Sequence, residues 1–225
     1  MQSNRKLLIS ALTKFIIGIL ILGAFLFVTA GDFRYWNAWV FLSAFAVCIF
    51  AFGAGLYLKD KELLQKRLNS KEKEEEQKAY TWLSGISFIA TFGVCGIDYR
   101  FSWSRVPIVA VFVALAVMIA GFGLFVVTLM YNRYASRIVE VQDGQRVIDT
   151  GVYAIVRHPM YTAALTMFFA VPLVLGSFFA LIPMLFFLAG IVMRIRNEEK
   201  ILCAGLDGYR EYMKKVRYRI IPFIW

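Results

Sequence analysis

The stretch TAALTMFFAVPLVLGSFFALIPMLFFLAGIVM, residues 162–193, contains no charged side chain. It is longer than the roughly 20 apolar residues with which one helix crosses a bilayer. Pro172, Gly176–Ser177 and Pro183 interrupt it, so it reads as two helices joined by a tight turn, a hairpin that enters the membrane and returns. Upstream, apolar segments cover residues 15–30, 38–58, 80–97 and 107–130, each long enough or nearly so to span. The expected fold is therefore an all-α integral membrane protein with about six transmembrane helices, the last two forming a C-terminal hairpin.

The whole chain agrees with this reading. Its 225 residues are 60% hydrophobic and 16% aromatic, with a mean hydropathy of +0.66, too apolar for a soluble domain. A net charge of +10 raises the question of nucleic acid, but the basic residues punctuate apolar spans and no soluble domain presents them. Nucleic acid is not an expected partner. Placing the amino terminus and residues 59–79, 131–161 and 194–225 on one side leaves only Arg34, Arg100 and Arg105, of 25 Lys and Arg, on the other. The basic side is then cytoplasmic, both termini face it, and the number of crossings is even.

Arg5, Lys6, the run Phe15–Val28 and Ala30 have the layout of a signal peptide, read here as an uncleaved first span. Cys48, Cys95 and Cys203 are widely spaced and form no metal-binding pair, so they are expected to be packing residues, and no metal site is expected. The mixed charges of KDKELLQKRLNSKEKEEEQK, residues 59–78, read as a solvated linker or helical extension. The chain divides into residues 1–130, a four-helix membrane region where substrate choice is expected to lie, and residues 131–225, where the polar chemistry concentrates.

Ionisable residues are nearly absent from the first four spans, which argues against an ion or proton pathway through them. In VYAIVRHPMY, residues 152–161, Pro159 suits the first position of a helix capped by His158. Free N–H groups at Met160 and Tyr161 would then attract a carboxylate or phosphate. The plainer alternative is that Arg157 and His158 anchor the helix among lipid headgroups. The hairpin returns Arg194, Glu198 and Glu199 to the same side as His158. Arg194 and Glu198 share a helical face, with Glu199 about 100° away, and Arg before Glu is the weaker order for a local ion pair. Leu206–Trp225 interleaves aromatic and basic residues, as a cytoplasmic interfacial amphipathic helix with a tail would, and the tail is a candidate lid.

Three motifs in order, G-x-Y-x-x-x-R-H-P-x-Y (151–161), R-x-x-x-E-E (194–199) and L-x-G-Y-x-E-Y…V-R-Y-R-I-I-P-x-I-W (206–225), resemble the isoprenylcysteine carboxyl methyltransferase-like family. Phospholipid N-methyltransferases look similar through the same region, and membrane sterol reductases share a more distant likeness. The resemblance implies a membrane methyltransferase with S-adenosylmethionine in a cytoplasm-facing pocket and a lipophilic or lipidated substrate entering from the bilayer. It places cofactor-binding positions at Gln145, Arg146, Val147, Ile148, Tyr153, His158, Pro159, Met160, Tyr161 and Glu198. Arg194 falls where the family steers the substrate head group. A carboxylate acceptor needs no base, whereas an amine would have Glu199 or His158 as the nearby candidates. Ala163 stands in place of a usual glycine and Val152 in place of a frequent proline. Two other readings compete. One is a membrane reductase using NADPH, although the chain has no glycine-rich dinucleotide fingerprint. The other is a non-catalytic scaffold or small transporter.

Overall fold

The computed structural model describes residues 2–68, 75–132, 134, 141 and 144–225, and every regular element among them is helical. The elements are α1 (Gln2–Ala30), α2 (Trp36–Lys59), α3 (Lys61–Leu68), α4 (Glu75–Phe101), α5 (Ile108–Tyr131), α6 (Pro159–Val174), α7 (Leu181–Gly205) and α8 (Tyr209–Lys215), with a 3-10 turn at Gly151–Ala154. Four of them, α1, α2, α4 and α5, are long and apolar enough to cross a membrane, and they coincide with the first four segments read from the sequence. The protein is thus a multi-pass membrane protein by the length and composition of its helices. The hairpin forms as expected, with its turn between Val174 and Leu181. Its first arm, α6, is apolar but only 16 residues long. The second, α7, continues through Arg194–Glu199 as one unbroken helix.

Of the two readings of residues 59–78, the described residues mostly follow the helical one, but they are not all solvated. Asp60 accepts the Leu63 N–H at 2.9 Å and starts α3, which buries Leu63 and Leu64. Two adjacent leucines are enough to pin this short helix, while residues 69–74 of the same stretch lie outside the described residues.

Packing follows from small residues where backbones approach. The main neighbour of α6 is α5, and that of α7 is α4. At Gly121 on α5, a Cβ would lie 2.7 Å from the Met167 backbone nitrogen of α6, so the two helices touch where no side chain intervenes. One apolar core joins Leu26 of α1, Phe41 of α2, Met118 of α5 and Val174 of α6; a second joins Met184, Phe187, Ile191 and Ile195 of α7 to Ile220 of the tail. At the hairpin turn, the carbonyls ending α6 are satisfied from other elements. Tyr35 Oη donates to the Leu175 carbonyl at 2.5 Å, and Asn37 Nδ2 to that of Val174 at 2.9 Å. These contacts fix the hairpin, and with it the far ends of α6 and α7.

Candidate functional site

At those far ends Glu199 gathers two arginines and a histidine. Arg157 donates from Nε (2.9 Å) and Nη2 (2.8 Å) to Oε1, and His158 Nε2 lies 3.3 Å from the same oxygen. Arg219 donates from Nε and Nη2, each at 2.9 Å, to Oε2. Burial alone would raise the Glu199 pKa. The hydrogen bonds from His158 and Arg219, with the positive charge of Arg157, outweigh it and hold the carboxyl down to about 2. Both carboxylate oxygens are therefore engaged, and the carboxylate is a structural hub among charges rather than an open acceptor.

The hub also binds the tail. Arg157 Nη1 donates to the carbonyls of Val216 (2.8 Å) and Arg217 (2.9 Å). The N–H groups of Arg157 and His158 donate to the carbonyls of Tyr218 and Arg219 at 2.9 and 2.8 Å, and Thr162 Oγ1 to that of Ile220 at 2.7 Å. Residues 216–220 are laid across the start of α6. Arg157 is consequently buried inside the protein and not a headgroup anchor.

A second group lies beside the first. The Tyr161 hydroxyl donates to Glu198 Oε2 at 2.6 Å and accepts from Arg194 Nε at 2.8 Å. The Arg194 guanidinium rests 4.7 Å from the centre of the Tyr80 ring. The other oxygen of Glu198, Oε1, takes no hydrogen bond among the described residues. Because Glu198 and Glu199 are consecutive on α7 they point about 100° apart, and each serves its own group. The His158 and Tyr161 rings, 5.7 Å between centres, bridge the two.

The remaining expected positions surround this pair of groups. Pro159 opens α6 with His158 at its cap, as the sequence predicts. The free amide expected at Tyr161 is a correction: that N–H donates to the His158 carbonyl at 3.0 Å, because the first turn tightens behind proline. Met160 is half-buried. Tyr153 is buried, with its hydroxyl accepting from Asn132 Nδ2 at 3.1 Å and its carbonyl from the Tyr212 hydroxyl at 2.8 Å. In the segment Gln145–Ile148, Arg146 is exposed, while Val147 packs against Tyr209, Tyr212 and Val216 around α8. Ala163 is wholly buried. Arg219, Tyr80 and Asn132 belong to the site and were not singled out by the sequence. Arg219 sits within a recognised motif, whereas Tyr80 and Asn132 carry no local signal.

Residues 108–204 match the model of the isoprenylcysteine carboxyl methyltransferase (ICMT) family. Over 90 residues, 39% of this chain, the sequence is also 34% identical to the Delta(14)-sterol reductase TM7SF2 of Mus musculus. That match spans 22% of the reductase, so the chain corresponds to about a fifth of that relative's length. Arg157, His158, Tyr161, Arg194, Glu198 and Glu199 thus all lie in the stretch that is similar to that family.

Proposed function

We propose that the protein is an S-adenosylmethionine-dependent methyltransferase acting on a lipophilic acceptor, a carboxylate such as that of a prenylcysteine or a related lipid head group. In this reading α6 and α7 are the fifth and sixth membrane crossings, and the site and both termini face the cytoplasm. The observation that carries the proposal is the Arg194–Tyr161–Glu198 chain, where the two arms of the hairpin end together.

The residues present suit the cofactor's chemistry. Oε1 of Glu198, without a hydrogen bond among the described residues, is an acceptor for an ammonium or ribose hydroxyl, and Tyr80, Tyr153 and Tyr161 offer aromatic walls. His158, Pro159, Met160 and Gln145–Ile148 complete the proposed cofactor positions. Bound S-adenosylmethionine supplies a methyl group on a sulfonium, open to in-line displacement, so the protein's task is alignment and exclusion of water. Arg194, held by Tyr161 on one side and Tyr80 on the other, orients an anionic head group. Glu199, with both oxygens occupied, is a positioning residue that fixes Arg157, His158 and the tail. The tail across the start of α6 keeps water from that end of the site.

The sterol reductase match favours a second reading, a membrane reductase using NADPH at the same face. One titration separates the two. Calorimetry on detergent-purified protein should give saturable micromolar binding of S-adenosylmethionine and S-adenosylhomocysteine, at least about tenfold weaker in Glu198→Gln. NADPH should give none. Folded protein that ignores both sulfur compounds, or that binds them equally after Glu198→Gln, overturns the proposal; saturable NADPH binding instead supports the reductase.

A further inference from the structure

At the other end of the helix bundle, around the hairpin turn, a cavity of about 570 Å³ opens between the loops that follow α1 and α4 and the end of α6. Among its lining residues are Asp32, Asn37, Arg100, Ser102, Ser104 and Arg105. This face carries only three basic residues, Arg34, Arg100 and Arg105. Two of the three converge on one cavity, where a membrane protein's less basic side has no general need of them.

The charges in and around the cavity do not cancel. Asp32 is already paired: its carboxylate accepts the Arg34 N–H at 2.8 Å and the Arg34 Nε at 3.0 Å. Asp98 is buried behind the cavity and also committed, to the Ser104 N–H and hydroxyl at 2.6 Å each and to the Ser177 hydroxyl at 2.5 Å. Arg100 has a contact with the Phe101 ring and no acidic partner among the described residues, and Arg105 has none either. Their positive charge is left to whatever enters.

The backbone at Gly31 runs alongside Arg100, in ordinary van der Waals range. Gly31 has φ +69, a conformation that favours glycine, and a Cβ there would lie 3.6 Å from the Arg100 guanidinium carbon. Asn37, buried beneath the cavity, uses Nδ2 to hold the Val174 carbonyl. Exposed aromatics flank the lining residues in sequence: Phe33, Phe101 and Trp103, with Trp36 in the lining itself, are the residue types of a belt at headgroup level.

We propose that this cavity binds an anionic phosphate group through Arg100 and Arg105, either the head group of a phospholipid or a free phosphate. A guanidinium matches phosphate with parallel hydrogen bonds, and two around one cavity would divide its charge. The inference does not depend on the methyltransferase reading, since it concerns the opposite face.

Binding is read by calorimetry, because Trp36 at the cavity is one of five tryptophans and its fluorescence does not stand apart from theirs. The full-length protein in uncharged detergent is titrated with phosphatidic acid, with diacylglycerol of the same acyl chains, and with inorganic phosphate. The proposal expects a saturable response to phosphatidic acid that weakens about tenfold or more in Arg100→Gln/Arg105→Gln. Ser102→Asp, which adds a negative charge to the lining without removing an arginine, should weaken it too. Arg210→Gln, an exposed position of α8 at the other end, should leave it unchanged. A response to phosphatidic acid alone identifies a lipid head group, and an equal response to inorganic phosphate at the same concentration identifies a free phosphate. Undiminished binding in both cavity variants, or equal binding of diacylglycerol, overturns the proposal.

Discussion

Glu199 is the residue on which the site's geometry turns. One carboxylate, almost wholly buried, receives Arg157, His158 and Arg219, and through Arg157 it holds the carbonyls of Val216 and Arg217. Its pKa is held at about 2, below the ordinary 4.5, so the folded state binds a proton less readily than the unfolded chain. The stabilisation is therefore fully present above pH 4.5 and is lost as the pH falls towards 2. Thermal unfolding in detergent should show a midpoint that drops across that window. Glu199→Gln should be destabilised at neutral pH by about 3–5 kcal/mol, because the arginines remain without their anion. It should also lose the Glu199 contribution to the acid limb. A parent midpoint that stays constant from pH 4.5 to 2 would contradict the hub.

At the scale of elements, α6 and α7 are held less by each other than by α5 and α4. The α5–α6 contact depends on Gly121, since a Cβ there meets the Met167 backbone rather than a movable side chain. Gly121→Ala should already lower the thermal midpoint. Gly121→Leu should cost about 1–3 kcal/mol or more, and by shifting α6 it should weaken S-adenosylmethionine binding without touching a proposed ligand. Unchanged stability in both variants would mean that α5 and α6 do not pack this closely. The hairpin itself was legible from residues 162–193, because an uncharged run interrupted by proline and glycine has few other solutions in a bilayer. The start of α6 was equally plain from Pro159. The tightened first turn was not, since the bond from Tyr161 to the His158 carbonyl depends on a local geometry that spacing does not encode.

At the scale of the molecule, charge placement tells the two ends of the bundle apart. The basic end holds the two polar groups of the candidate site, and the sparsely charged end holds the Arg100–Arg105 cavity. The motifs located Arg194, Glu198 and His158, and the hairpin argument brought them together. The same reasoning could not find Tyr80, which reaches Arg194 from α4, or show that Arg219 crosses from the tail to Glu199. Such contacts join residues far apart in sequence and arise only when α4, α7 and the tail pack. It also left Glu199 open as a proton acceptor, because the number of cations around a carboxylate is a property of the folded site.

The most direct test is transfer of a labelled methyl group. Purified protein is incubated with methyl-labelled S-adenosylmethionine and a membrane lipid extract that includes prenylated cysteine compounds, and label is counted in the organic phase before and after mild alkali. The account predicts incorporation into lipophilic material, removed by alkali if the acceptor is a carboxylate, and a fall of about a hundredfold in Arg194→Gln through lost alignment. No incorporation by folded protein, or the same incorporation after Arg194→Gln, would contradict it.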